Sequence, residues 1–300
     1  GFTFENGAKG NVYSSHTDAL ITQLINQIME EKQISKNAAE TYLYSSGLKI
    51  YSTQVSSIQK VMEEEAKDKK YILKSRENKN EDGTPVLAQG AMVIIEPSTG
   101  YVVGCIGQLG EKTTSRGLNR AIGPTAISSG TIRSAGSSFK PIADLVPGIE
   151  EGLVNPATIY EDSYTVFTVG NDKYDPKNYN KFKGAITIRS ATTTSQNVPF
   201  VKIMAEVGNA KCVEYLKKMG ISTLNEERDV GLSLAIGGLT DGVSVLEMAG
   251  AYATIANNGV YIEPTFYIKV EDSNGNKKRI LKDIAYDYIP RELLDRPKVG

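Results

Sequence analysis

Residues 90–107 read GAMVIIEPSTGYVVGCIG. Two apolar, β-rich runs, Met92–Ile95 and Tyr101–Ile106, flank Pro97-Ser98-Thr99-Gly100. Proline presets φ for a turn and glycine accepts the left-handed geometry that closes one, so the stretch predicts a β-hairpin. Upstream, residues 17–32 carry Leu20, Ile21, Leu24, Ile25, Ile28 and Met29 at helical spacing, with Thr17 or Asp18 as the cap. A second helix is expected over 35–44, a strand in GLKIYST after Gly47, and a third helix over 54–70. The charge run that follows, to about Gly83, reads as a solvated helix end and loop. Downstream, 107–136 is loop-like, and a helix beginning near Ser137 continues through Pro141 to Glu151. Residues 155–183 are rich in Tyr, Asn, Lys and Pro and long for a purely structural loop. Helical segments are expected at 185–194, 198–207, 209–219 and 243–257, then a second hairpin turning at Ser273-Asn274-Gly275. Strand, helix cluster and strand again predict a mixed α/β (α+β) domain, with helices packed on a mainly antiparallel sheet.

Composition narrows the chemistry. Thirty-four lysines and arginines against 35 acidic residues leave a net charge of −1, which gives no electrostatic footprint for nucleic acid. No run of about 18 apolar residues is present to span a bilayer. Cys105 and Cys212 fall in apolar runs and form no CxxC pair, so both are expected as core residues. A single histidine, His16, argues against a zinc site and against a Ser-His-Asp triad. GCIGQLGEKTT, 104–114, imitates a phosphate loop, but Glu111 separates Gly110 from Lys112 and moves the lysine out of reach. No cofactor or metal is expected.

One stretch concentrates chemistry: IRSAGSSFKPIADL, 132–145. Proline is tolerated only in a helix's first turn, so Pro141 fixes the helix start near Gly136 or Ser137. Ser137 and Lys140 then lie a turn apart on one face. Unpaired N–H groups at a helix start can steady an oxyanion, and a lysine made neutral by burial can take a hydroxyl proton. An N-capping serine with a solvated lysine accounts for these four residues more simply. A second element, Ser195-Gln196-Asn197 in TTTSQNVP (192–199), sits at a break between helices just before Pro199. Alone it too fits an ordinary helix end. Ser-x-x-Lys followed by Ser-x-Asn 58 positions later is the more specific combination.

With these motifs in order, the sequence resembles the transpeptidase domain of a bifunctional (class A) penicillin-binding protein. The resemblance extends through GLKIYST (47–53), SIQKVMEEE (57–65), QGAMVIIEPSTGYVVGCIG (89–107), LNRAI (118–122), AGSSFKP (135–141), YDPKNYNKFKGAITIRSATTTSQNVP (174–199) and GVSVLEMAGAYATIANNGVYIEP (242–264), covering roughly 45 to 270. It implies the penicillin-binding-protein/serine β-lactamase-like fold. It also implies a connector and the start of the domain over 1–75, then the transpeptidase domain proper over 76–300.

By position, the resemblance makes Ser137 the acylated nucleophile, Lys140 its base, and Ser195 and Asn197 the second catalytic element. The implied activity is that of a peptidoglycan DD-transpeptidase, cross-linking stem peptides through an acyl-enzyme and acylated by β-lactams at the same serine. The implied partners are stem peptides, β-lactams and the cell-wall synthesis machinery. The implied place is the extracytoplasmic face of a bacterial membrane, anchored by an N-terminal segment not present here. A hydrolytic sibling, DD-carboxypeptidase or serine β-lactamase, remains an alternative; Glu226 or Glu227 is its candidate deacylation base, although a solvated turn accounts for both. So does a non-catalytic binding or sensor domain of the same fold. Two departures stand out. The family's Lys-Thr-Gly or Lys-Ser-Gly motif is absent, Lys298-Val299-Gly300 being its only near match, so the chain is expected to stop before that motif. Ala135 stands where proline is frequent.

Overall fold

The computed structural model describes residues 12–169, 172–275, 277–278 and 285–287; Lys298-Val299-Gly300 lies outside them. The chain divides into two compact units: Gly1–Ile132 with Ser244–Ala253 and Ile262–Ala285, and Arg133–Val243 with Thr254–Tyr261 and Tyr286–Gly300.

In the first unit α1 (Ser15–Lys32) is capped by Ser14, whose side chain accepts from Thr17 N, rather than by Thr17 or Asp18. The cap falls earlier because the buried face already includes Ser15 and His16. Helix α2 (Lys36–Ser45) and strand β1 (Lys49–Ser52) follow. Next comes α3 (Ser56–Lys67), whose Gln59 amide pairs with the backbone of Cys105 in both directions at 2.9 Å. The charge run is a correction: it folds as an exposed antiparallel ribbon, β2 (Lys74–Lys79) with β3 (Pro85–Leu87). Its turn is closed by Asn80 N donating to Thr84 O at 2.8 Å, so local turn chemistry, not apolar alternation, makes the hairpin.

The expected hairpin forms as β4 (Met92–Glu96) and β5 (Tyr101–Ile106), paired from Met92↔Ile106 to Glu96↔Tyr101 with a one-residue register shift between Ile94 and Ile95. Strand β1 pairs antiparallel with Tyr267–Glu271, which turns back through Ser273–Gly275 to pair with Lys277–Lys278. Onto these strands α1 lays Leu24, Ile25 and Ile28, all at most 1% exposed, against Val102, Cys105, Phe266 and Val270. At roughly 2 kcal/mol per buried aliphatic side chain, this contact rather than helix propensity holds α1. Lys112 of the false phosphate loop is held by Asp18 at 2.7 Å and by the carbonyls of Tyr13 and Thr114. Among the described residues no helix is long and apolar enough to cross a membrane.

The second unit opens at Arg133, bridged to Val243. Helical residues then run from Gly136 to Glu150 in three winds: a 3₁₀ turn Gly136–Phe139, a π turn Pro141–Leu145, and α4 (Val146–Glu150). Pro141 has no N–H to donate, and Val146 N reaches back to Pro141 O, which is the wider π spacing.

The 155–183 stretch is not one loop. It contains β6 (Ile159–Asp162), β7 (Phe167–Val169) and β8 (Asp172–Tyr174), with β7 and β8 paired. The helix expected over 185–194 begins late, because β9 (Gly184–Thr187) pairs with β6 first and Thr187 then caps α5 (Ile188–Thr193). Helices α6 (Val198–Val207) and α7 (Asn209–Lys218) form as expected, as does α8 (Val245–Ala256). Phe200 and Ile203 of α6 are fully buried with Ile188 and Ala191, so α6 is the spine that fixes the break before it.

Candidate active site

The 3₁₀ turn at Gly136–Phe139 lies on the backbone of Gly237. A Cβ on Gly237 would meet Gly136 O at 2.1 Å, and Gly237 itself holds φ +81°. Ser134 Oγ donates to Gly237 O at 2.6 Å and ties the approach to the turn. Gly136 has φ +54°, with nothing within 4 Å of where a Cβ would stand. From this turn Phe139 goes fully into the core while Ser137 faces out.

Lys140 is only 2% exposed. Its Nζ donates to Ser195 O at 2.9 Å and lies 3.1 Å from Ser195 Oγ, 5.2 Å from the centre of the Phe200 ring. Among the described residues it makes no hydrogen bond to Ser137: the lysine is joined to the second element rather than to the neighbouring serine. Burial lowers its pKa to about 8, the nearby Asp144 opposing. Asp144, one turn further on, is fully buried with neither oxygen hydrogen-bonded, and burial raises its pKa well above the usual carboxylate range, Lys140 opposing.

Ser195 holds φ +52°, a left-handed conformation uncommon for serine, on the break between α5 and α6. Gln196 turns inward, 1% exposed. Asn197 Nδ2 donates to Lys177 O at 2.6 Å. The backbone N–H groups of Asn197 and Val198, free donors at the start of α6, go to Asn178 Oδ1 at 2.6 and 3.4 Å. Asn178 is held in turn by Asp162, a fully buried carboxylate that accepts from Asn178 Nδ2 at 2.7 Å and Lys183 N at 3.0 Å.

Ser137, Ser195 and Asn197 line one cavity of about 360 Å³ with Tyr179, Asn180, Thr194 and Gln196. The motif residues singled out in the sequence therefore meet, Lys140 lying beneath Ser195. Asp144, Asp162, Asn178 and Tyr179 were not singled out. The four-residue spacing of Asp144 from Lys140 could have drawn notice to it, although its burial without a partner belongs to the fold; the roles of Asp162 and Asn178 depend on contacts across 16 to 20 positions and carried no local signal. Glu226 is exposed and ion-paired with Lys217. The chemistry available to the cavity is a nucleophilic hydroxyl, a desolvated amine in contact with a second hydroxyl, and a carboxamide.

The family model for the penicillin-binding protein transpeptidase domain matches residues 90–289. Penicillin-binding protein 1F of Bacillus subtilis is 38% identical over 194 residues, 64% of this chain and 25% of that protein. Penicillin-binding protein 1A of Clostridium perfringens is 29% identical over 289 residues, 92% of this chain and 41% of that protein. The chain thus spans about a quarter to two-fifths of the length of these relatives. Among solved structures, the penicillin-binding protein PonA1 from Mycobacterium tuberculosis superposes with a TM-score of 0.66 at 22% identity, over 92% of this chain and 66% of that one. Its complex with penicillin V gives 0.65 at 23% identity, over 93% and 68%. These structural likenesses carry the fold.

Proposed function

The chain belongs to the penicillin-binding protein transpeptidase family, and from that premise we propose that it is a peptidoglycan DD-transpeptidase acting through an acyl-enzyme on Ser137. The observation that carries the reading is the shared cavity: Ser137, Ser195 and Asn197 line it, with the Lys140 amine 3.1 Å from the Ser195 hydroxyl.

Lys140 in its neutral form is the base. Its contact with Ser195 makes that hydroxyl a relay, through which the Ser137 proton reaches the amine as Ser137 Oγ attacks the carbonyl of a D-Ala-D-Ala bond. The stored proton then goes to the departing D-alanine nitrogen. An amine of a neighbouring strand attacks the resulting ester, loses its proton to the same relay, and leaves the cross-linked product with Ser137 restored. Asn197, its Nδ2 held by Lys177 O, keeps its carbonyl oxygen available to accept a substrate amide N–H. A β-lactam acylates Ser137 by the same attack and leaves slowly. Acting on peptidoglycan, the domain belongs on the extracytoplasmic face of the membrane, alongside the cell-wall synthesis machinery.

The test is labelled penicillin on the full-length protein. A slowly released adduct that disappears in Ser137→Ala is expected. Lys140→Arg should abolish acylation although charge is retained, because guanidinium does not act as a base near neutral pH. An adduct that survives Ser137→Ala would place the nucleophile elsewhere; rapid turnover of the drug would mark a β-lactamase.

A further inference from the structure

A second cavity, of about 330 Å³, belongs wholly to the first unit and is lined by none of the residues used in the acyl-transfer steps above. It is at the small end of ligand cavities, which hold roughly 300–1,000 Å³. Its walls are α1, α2 and the segment from Arg116 to Ser128. Asp18 of α1, only 4% exposed, gives one carboxylate oxygen to Lys112 at 2.7 Å. Its other oxygen, Oδ1, is buried without a hydrogen bond. A buried carboxylate oxygen left without a donor is costly, so Oδ1 marks a place for an N–H group that the chain itself does not supply. On the α2 side the charge is positive. Arg116 spends one of its five N–H donors on Glu40 Oε1 at 2.8 Å, which steadies the guanidinium. Its backbone has φ +57°, a left-handed conformation uncommon outside glycine. With Asp18 matched by Lys112 and Glu40 by Arg116, Lys36 is the cation in surplus. Its amine reaches Ile127 O only at 3.5 Å, and it stands first in α2, at the positive end of that helix. Ile122 and Ile127 add apolar wall.

We propose that this cavity binds a free α-amino acid with a short aliphatic side chain. The ammonium donates to Asp18 Oδ1, the carboxylate accepts from Lys36 and Arg116, and the side chain rests on Ile122 and Ile127. A simple cation would answer Asp18 but leave Lys36 unmatched. A simple anion would answer Lys36 but bring no donor to Asp18 Oδ1. Only a molecule with both charges close together satisfies both ends. The site does not depend on which residue is the nucleophile.

The experiment is saturation-transfer NMR of racemic alanine with the full-length protein. Half-saturation on the order of 1 mM is expected for so small a ligand. Lactate, with a hydroxyl in place of the ammonium, and alaninamide, without a carboxylate, should each bind at least tenfold more weakly. Asp18→Asn and Arg116→Gln should each raise the half-saturation concentration for alanine at least tenfold. In the first, the one amide oxygen serves Lys112 or the ammonium, while the amide N–H groups face the other cation. The second leaves the Asp18–Lys112 pair intact and removes only a partly exposed ion pair, so it tests the site even if Asp18→Asn fails to fold. Circular dichroism identifies the folded variants. Alanine that shows no saturable transfer, the result of a cavity that holds water alone, overturns the site. So does alanine held as tightly by Arg116→Gln as by the wild type. Lactate or alaninamide bound as tightly as alanine overturns the two-ended recognition and the proposal with it.

Discussion

Lys140 has to be both buried and basic, and these requirements oppose each other. An ammonium that is 2% exposed has lost most of its hydration, and its pKa falls from 10.5 to about 8. Because the folded value lies below the unfolded one, the unfolded chain binds the proton more tightly. The penalty on folding is therefore complete below pH 8 and disappears as pH rises toward 10.5. It amounts to roughly 3 kcal/mol. Lys140→Met removes it but also removes the bond to Ser195 O, worth about 1 kcal/mol. We expect the variant to be more stable in urea by about 2 kcal/mol at pH 7, to lose that advantage by about pH 10.5, and to form no acyl-enzyme. A less stable Lys140→Met at pH 7 would mean the amine is well hydrated. Asp144 acts on the same equilibrium wherever it has lost its own proton, since the negative charge then steadies the ammonium and raises the lysine's pKa. Asp144→Asn should therefore shift the acid limb of the acylation rate, which follows deprotonation of Lys140, to lower pH. Penicillin acylation measured from pH 5 to 9 checks this; a midpoint that stays put or rises removes Asp144 from the control of the base.

At the scale of elements, the nucleophile's turn is set by backbone resting on backbone. Gly237→Ala would drive a methyl into Gly136 O and hold alanine at φ +81°, so a loss above about 2 kcal/mol is expected, with acylation falling as the turn shifts. Gly136→Ala meets open space and should cost only about 1 kcal/mol from its φ of +54°. Thermal unfolding of both variants tests the comparison; equal losses would mean that the contact with Gly237 is not what fixes the turn. These two glycines also show what could be read beforehand. The helix start at Ser137, the 90–107 hairpin and helices α6 and α7 were legible because Pro141, Pro97, Gly100 and the apolar spacing act over a few residues. The β2–β3 ribbon was not, since Lys74–Lys79 is entirely polar and shows no alternation. Strand β9 was not, because Ala185-Ile186-Thr187 suits helix and strand equally until β6 supplies its hydrogen bonds. At the site, Ser137, Lys140, Ser195 and Asn197 were singled out by their spacing, and the roles proposed for them came from the family resemblance. The attachment of Lys140 to Ser195 and of Asn178 to α6 arises only in the folded chain.

Across the whole molecule, the two units carry buried titratable groups whose acid responses have opposite signs. In the first unit, fully buried His16 gives its Nε2–H to Val102 O at 2.7 Å and meets the Phe266 ring edge-on at 5.0 Å, while its Nδ1 has no partner. A proton on Nδ1 would have nothing to bond to, and burial lowers the pKa from 6.5 to about 4. Because the unfolded histidine protonates first, stability is lost as pH falls from 6.5 to 4, by roughly 3 kcal/mol in all. In the second unit Asp144 has the reverse shift. Its folded form holds a proton that the unfolded chain releases above pH 3.8, so acid favours folding there until the unfolded carboxylate is also protonated. Hydrogen exchange at pH 4.5 against pH 7, corrected for intrinsic rates, should therefore show α1 and β5 losing protection while α6 keeps it. His16→Gln, which still donates to Val102 O but does not titrate, should remove most of the loss in α1. Equal loss in α1 and α6, or an α1 that loosens just as much in His16→Gln, would show that acid acts through some other group.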